Sequence, residues 1–292
     1  MDDALALLLA WASPEIAVHA LTTVAGNVPL EAATANACRL VALCRPLPFP
    51  LIAAGAAAPL ARPLVTATHY HGDDGLGDVT DWPVATVELA PASASEVIAQ
   101  TARRRGRDLT LIALGPLTNV ARVLDADAAA LAQVGRLVVM GGAVDVPGNV
   151  TPTAEFNMHV DPEAAARVFA AGLPIDLVPL DATRQVVLPR TRLQQALASA
   201  PRALAHHVAS FTARSFAADA ARGRAGMVLH DPLAVGAAVG DFVEWEPMRL
   251  TVDPDGTTRR VPGSPNCRVA TRVHAERFLS VFLDRVPVSA PR

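Results

Sequence analysis

Leu109-Thr-Leu-Ile-Ala-Leu114 is followed by Gly115-Pro-Leu-Thr-Asn119 and then by apolar residues at helical spacing through Leu124. The first six residues carry almost no polarity, so neither face of the strand they would form expects water. A strand buried on both faces belongs to a parallel sheet covered by helices, not to an antiparallel sheet wetted on one side. The Gly-Pro pair ends the strand, and Thr118 follows as a candidate cap for the next helix. Strand, turn and helix form half of a βαβ unit.

The same alternation recurs on both sides of this stretch. Upstream, residues 3–12 read as helix, 16–24 as a β-branched strand, 30–43 as helix, 51–54 as a short strand and 93–105 as helix. A loop spans about 59–82. Downstream, 137–140 reads as a strand ending in Gly141-Gly142, 162–171 as helix and 175–179 as strand. Residues 191–224 are mostly helical, 249–270 suggest strands around an Asp255-Gly256 turn, and 274–283 closes with a helix. The pattern predicts an α/β fold with a mostly parallel central sheet flanked by helices. In such sheets, ligands sit beyond the carboxyl ends of the strands. The polar residues Asn27, Thr118, Asn149 and Asp181 each follow a strand pattern.

Composition narrows the function. The chain has 292 residues, 51% of them hydrophobic and 18% charged, so it can bury a sizeable core and is not globally disordered. No linker or repeat divides it, so a single domain over 1–292 is expected. The net charge of -3 gives no basic surface for nucleic acid or an anionic membrane. Aromatics at 4% leave few platforms for stacking single strands. No apolar run reaches the roughly 18 residues a bilayer span requires. All 25 basic residues are Arg, which excludes Schiff-base and P-loop lysine chemistry. Cys38, Cys44 and Cys267 are odd in number and lack metal-site spacing, as for thiols in a reducing compartment. The short apolar run at 5–12 follows Asp2-Asp3, where a signal peptide needs positive charge, so a cytoplasmic location is expected.

Several clusters carry chemistry. Asp2 and Asp3 open a helix, where they either complement its dipole or serve a ligand. Asn27 lies in Val24-Ala-Gly-Asn-Val28, as a turn residue or a ligand amide. His71-Gly-Asp-Asp-Gly-Leu-Gly-Asp78 is either a solvated loop or a mobile flap. Thr118 either caps its helix or turns its carbonyl toward a cation. Gly148-Asn-Val-Thr-Pro-Thr-Ala-Glu-Phe-Asn157 places Asn149, Glu155 and Asn157 within nine residues. Two amides and a carboxylate suit a sugar, whose hydroxyls both donate and accept. In His230-Asp231-Pro232, Asp231 is either an ordinary helix-opening residue or a metal ligand with an acid beside it. An oxygen-rich set without Cys/His spacing favours Ca²⁺ or Mg²⁺ over Zn²⁺.

Taken in order, these stretches resemble the inosine-uridine preferring nucleoside hydrolase family. The matching segments are Asp2-Asp-Ala-Leu-Ala6, Gly26-Asn27, His71 to Gly77, Ala113 to Asn119, Met140-Gly-Gly142, Gly148 to Asn157 with Asp161-Pro-Glu163, and His230-Asp-Pro-Leu-Ala234. The resemblance implies hydrolysis of the N-glycosidic bond of a ribonucleoside, with Ca²⁺ bound. It implies that Asp3, Asp231 and the carbonyl of Thr118 ligate calcium and that Asp2 binds ribose hydroxyls. Asn27, Asn149, Glu155 and Asn157 would complete the ribose pocket. His230 falls at the position that protonates the leaving base, and His71 in the flap over it. A homo-oligomer, dimer or tetramer, is also implied. The residues suit such chemistry, because base departure develops oxocarbenium character at the sugar.

One departure stands out. The family pattern opens D-x-D-P-G-x-D-D at the end of a first strand, and here Met1 occupies the position just before the paired aspartates. The family's first strand, with a calcium ligand and the general base for water, has no counterpart in the sequence. Either Met1 is an internal methionine of the full motif, or the chain is a short form. The second case leaves a competing reading: a nucleoside- or ribose-binding protein with impaired catalysis. Between 215 and 228 there is no Tyr to contact the base, and Phe216 is the candidate substitute.

Overall fold

Residues 136–140 alternate between two cores, and that alternation organises the molecule. Leu137 and Val139 pack into one apolar cluster, Val138 and Met140 into another. The computed structural model describes residues 1–288. Its strands, in chain order, are β1 (Ala20–Thr22), β2 (Leu51–Ala53), β3 (Thr110–Ala113), β4 (Arg136–Met140), β5 (Ile175–Val178), β6 (Val187–Leu188), β7 (Met227–Val228), β8 (Val243–Met248), β9 (Leu250–Val252), β10 (Thr258–Arg260) and β11 (Cys267–Val273). The largest sheet has the order β3-β4-β5-β11-β8. All its pairings are parallel except β11 with β8. The α/β fold with a mostly parallel sheet is therefore the one the apolar strands predict.

Helices cover both faces. Leu5, Leu8 and Leu9 of helix Asp2–Trp11 share one core with Leu233 and Val235 of Asp231–Val239 and Phe278 and Phe282 of Ala275–Arg285. Ile98, Val120, Val123 and Val168 build the other core from helices Ala94–Arg105, Thr118–Leu131 and Pro162–Ala170. Ser93 starts its helix with a capping box to Glu96, as its sequence position suggests.

One polar group interrupts the apolar strands. Asp176 of β5 is 2% exposed and takes Arg136 from β4 on one side and Arg268 from β11 on the other. Both guanidinium groups lie over the ring of Trp245, at 5.7 and 5.4 Å. Arg136 also donates to the carbonyls of Ala237 and Ala238 at the end of helix Asp231–Val239. The network thus locks three neighbouring strands and one helix terminus together.

The sheet departs from expectation at β1 and β3. β1 pairs only with β2, as a separate parallel two-stranded unit. Among the described residues no strand lies between β1 and β3. A cavity of about 590 Å³ separates their edges, lined by Val18, Ala20 and Thr22 on one side and Thr110, Ile112 and Leu114 on the other. This explains two differences from the sequence reading. The β-branched run at 16–24 forms strand only over Ala20–Thr22, because one edge has no partner to extend it. Every residue of β3 is half-buried, whereas every residue of β5 is buried. β8 was not foreseen; buried only at Val243 and Met248 and exposed at Glu244, Glu246 and Pro247, it suits a sheet edge.

Candidate active site

Two helix N-termini meet beyond the carboxyl ends of the strands. Asp2 and Asp3 occupy the first turn of helix Asp2–Trp11, and Asp231 that of Asp231–Val239, with Pro232 at a position that needs no amide donor. The two helices pack along their lengths. Their first turns therefore bring one carboxylate oxygen from each of Asp2, Asp3 and Asp231 within 4.8 Å of one another. Both dipoles favour negative charge there.

The amino group of Met1 is buried beside this cluster, 3.6 Å from Asp3 Oδ2 and 3.4 Å from His71 Nδ1. Burial, together with the charges of Asp2 and Asp3, pushes the Asp231 carboxyl well above the ordinary carboxylate range. Enclosure also raises Asp3; Asp2 adds to this and the Met1 amine opposes it. Asp3 and Asp231 therefore resist ionisation, and with Asp2 they form a crowded donor set of hard oxygens. Such a set fits a divalent cation of the calcium or magnesium kind.

Amides and a glutamate flank the cluster. Asn157 sits in the short helix Phe156–Val160 and donates from Nδ2 to the carbonyls of Leu114 and Met140, at 2.9 and 3.1 Å. Asn27 holds the flap through its backbone, accepting from the Ala67 amide at 2.9 Å. Asn27, Asn157 and Asp3 line one continuous recess, which runs into the cavity between β1 and β3. Glu155 caps helix Phe156–Val160, and its carboxylate accepts from the amides of Gly142, Asn157 and Met158. Burial raises this carboxyl, against the pull of those amides. Asn149 is exposed, and its Oδ1 accepts from the Phe156 amide, shaping the loop. Thr118 is buried at the end of the β3 turn, its hydroxyl bonded at 2.6 Å to Asp161. Asp161 also accepts from the Leu60 and Ala164 amides, so its acidic motif serves as an architectural hub.

Two histidines stand near the carboxylates. His230 immediately precedes helix Asp231–Val239, and its Nδ1 lies 2.7 Å from the Thr183 hydroxyl. Burial, then the positive charge of Arg224, lowers its pKa to about 4, with Asp219 opposing. Buried Asp219 and exposed Arg224, 2.6 Å apart, therefore condition this imidazole with opposite signs. His71 ends the helical turn Thr68–His71 and is 8% exposed. Burial, then the Met1 amine, lowers its pKa to about 2.

The flap after His71 is pinned at several points. Asp74 accepts from the Leu76 and Asp78 amides and meets Arg39 at 3.4 Å. Asp78 pairs with Arg214, and Asp81 with His206. Gly72, Gly75 and Gly77 all have positive φ, which explains the glycine-rich spelling.

Sequence reasoning missed three residues here. Tyr70 is the chain's one tyrosine. It stacks edge-on against His71 at 4.9 Å and lies under the Arg222 guanidinium at 5.1 Å. Burial, then Asp219 and Asp2, raises its phenol to about 12. This aromatic thus comes from the turn just before the flap, and Phe216 is buried on helix Arg202–Ala221. Thr183 and Asp219 are the other two; both act through contacts distant in sequence, which periodicity cannot show.

His71 makes stability pH-dependent. The folded group stays neutral through the range where an unfolded imidazole, with its ordinary value of 6.5, takes up a proton. Its contribution is complete above pH 6.5 and is lost as pH falls below it. Between pH 7.5 and pH 5, wild type is expected to lose about 2 kcal/mol more stability than His71→Gln. Urea unfolding of the two proteins at both pH values checks this; equal losses would refute it.

Comparison with known proteins bears on this geometry. The inosine-uridine preferring nucleoside hydrolase family profile matches residues 1–280. The pyrimidine-specific ribonucleoside hydrolase RihA of Salmonella typhimurium is 36% identical over 240 residues, 80% of this chain and 75% of that protein. RihA of Shewanella sp. strain ANA-3 is 39% identical over 240 residues, 80% and 73% of the respective chains. Among solved structures, the purine-preferring ribonucleoside hydrolase from Gardnerella vaginalis superposes with a TM-score of 0.93 at 30% identity, covering 99% of this chain and 95% of that one. A plant nucleoside hydrolase, PpNRh1, superposes with a TM-score of 0.90 at 30% identity, covering 98% and 95%. The profile spans the clustered carboxylates, the amide loop and the paired histidines alike, and with these relatives at this coverage the chain belongs to the inosine-uridine preferring nucleoside hydrolase family and is a ribonucleoside hydrolase.

Proposed function

We propose that the chain cleaves the N-glycosidic bond of ribonucleosides with calcium held by Asp3, Asp231 and the backbone carbonyl of Thr118. The observation that carries this reading is the three-carboxylate cluster at the junction of two helix N-termini, beside an amide-lined recess. Calcium, when bound, supplies the positive charge that grips vicinal hydroxyls and orients a water.

The chain's own residues do the rest. Asp2 accepts from ribose hydroxyls. Asn27, Asn149 and Asn157 present amides to the sugar, and Glu155, fixed by three backbone amides, holds the wall rigid. Such a pocket discriminates against deoxyribose, which would leave buried polar groups unpaired. His230 is neutral at physiological pH, so it acts on the leaving base as a hydrogen-bond donor that can pass on its proton. His71, under the flap, covers the base and excludes water.

This reading includes a strand ahead of Met1, placed between β1 and β3. The cavity with two parallel, unpartnered edges supports it. The reading also includes a homo-oligomer, dimer or tetramer, for which the exposed apolar side chains Phe49, Leu51 and Leu89 around one surface recess offer an area. A cytoplasmic setting accords with three free thiols. No helix among the described residues is long and apolar enough to cross a membrane.

The test is release of free base and reducing sugar from inosine and uridine. Binding of either nucleoside without turnover would support the binding-protein reading instead. Calcium is checked separately. Saturating calcium at about 100 times its Kd is expected to stabilise the protein by about 2.7 kcal/mol, and Asp231→Asn to abolish most of that gain. A thermal shift unchanged by calcium, or undiminished in the variant, would remove Asp231 from the ligand set.

A further inference from the structure

The contact between Thr183 and His230 is built by the fold from two distant segments. β6 and β7 form a minimal antiparallel pair, with Val187 opposite Val228 and Leu188 opposite Met227. The Leu229 amide extends the ribbon to the Val186 carbonyl at 3.1 Å. That register sets residue 230 against the helical turn Leu180–Thr183, which follows β5. The turn is itself fixed: the Thr183 amide donates to the Pro179 carbonyl at 3.0 Å, and Asp181 accepts from the Val144 and Asp145 amides. Thr183 is fully buried, and its Oγ1 lies 2.7 Å from His230 Nδ1.

The direction of this hydrogen bond follows from what else the hydroxyl can reach. A threonine hydroxyl has one proton to give and can accept as well. In a helical turn it usually donates to a carbonyl three or four residues back. Among the described residues Thr183 Oγ1 makes no such bond, and His230 Nδ1 is its one hydrogen-bond partner. A buried donor left without an acceptor is the costly outcome. The O–H therefore points at Nδ1, which must carry a lone pair. A neutral imidazole then has its proton on Nε2. Nε2 is the nitrogen with no protein partner among the described residues.

We propose that Thr183 is a positioning residue that fixes His230 as the Nε2–H tautomer, so that a neutral imidazole presents a donor to the leaving base. The catalytic half of this statement rests on the function proposed above; the tautomer half does not. Thr183 touches neither substrate nor metal. It acts through His230, by holding the ring's orientation and choosing which nitrogen bears the proton. Without it the two tautomers would interchange, and the fraction with the proton on Nδ1 would turn a lone pair toward the leaving group.

Nitrogen-15 NMR of the histidine-labelled protein at pH 7.5 tests this directly. In wild type, His230 is expected to show a pyrrole-type Nε2 and a pyridine-type, hydrogen-bonded Nδ1. Thr183→Val, which keeps the side-chain shape and removes the hydroxyl, should shift both nitrogens toward averaged values. With inosine or uridine, kcat should fall about 10–100-fold and KM should change less than about threefold. Thr183→Ser should restore both the spectrum and most of kcat. A wild-type spectrum with the proton on Nδ1 overturns the proposal, and needs no variant to fold. So does a Thr183→Val protein with wild-type spectrum and kcat. If the spectra behave as expected but no nucleoside is cleaved by any form, the tautomer assignment stands and the catalytic reading falls.

Discussion

Prolonging the chain ahead of Met1 by a strand ending in Asp-x-Asp-Pro-Gly is expected to raise the rate of inosine or uridine cleavage by about 10²–10⁴-fold over the 292-residue form. The geometry argues for this from both ends of the cavity. Its walls are the edges of β1 and β3, each of which, among the described residues, has a strand partner on its other side only. An extended segment parallel to both would satisfy two rows of backbone donors and acceptors at once. It would leave the cavity at its carboxyl end, where Met1 and Asp3 lie on the lining. Its last residues would then stand beside Asp2, Asp3 and Asp231, where a further carboxylate can remove a proton from water. Hydrogen exchange separates the two parts of the expectation. Protection of the β1 and β3 amides without faster cleavage would deny the carboxylate its role; unchanged exchange would deny the strand its place.

Asp176→Ala is expected to cost about 3 kcal/mol of stability, with Tm falling on the order of 10 °C. The substitution leaves two guanidinium groups facing one aromatic ring with no anion between them. The cost falls mainly on Arg136, whose side chain is 24% exposed, because Arg268, at 55%, can turn into water. That asymmetry puts the figure at the low end for a broken buried pair. Replacing Arg136 by Met together with Asp176 by Leu should recover most of the loss, since an apolar group of similar volume often serves as well as a buried ion pair. Thermal melts of the single and double variants decide this. A single-variant loss below about 1 kcal/mol would mean the pair is not the lock between β4, β5 and β11.

The fold was legible where local pattern and tertiary burial agree. The apolar runs at β4 and β5 lie in the middle of the large sheet, and both became strands buried on both faces. The helix starts at Ser93 and at Asp231-Pro232 are local chemistry, and both are found in the structure. The run at 16–24 failed because strand length depends on a partner, which no single stretch encodes. The candidate site was legible as a list of clusters in chain order. The convergence of two helix first turns brought Asp2, Asp3 and Asp231 together, yet their separation along the chain gives no sign of it. Tyr70 escaped notice because it precedes the glycine-rich loop and its partners Asp219 and Arg222 lie far along the chain. Thr183 escaped for the same reason.

The sheet and the flap divide the work between different kinds of structure. On the proposed reading, residues that hold sugar and cation stand at strand ends and helix starts anchored in two apolar cores. Residues assigned to the base side on that reading, among them His71 and Phe216 with Tyr70 beside His71, stand at the flap and on helix Arg202–Ala221, joined by the Asp78–Arg214 ion pair and the Asp81–His206 hydrogen bond. Base preference can therefore drift by substitution on these outer elements while bond-breaking is inherited intact. The pyrimidine-specific and purine-preferring names carried by this chain's relatives are what such modular inheritance would leave behind.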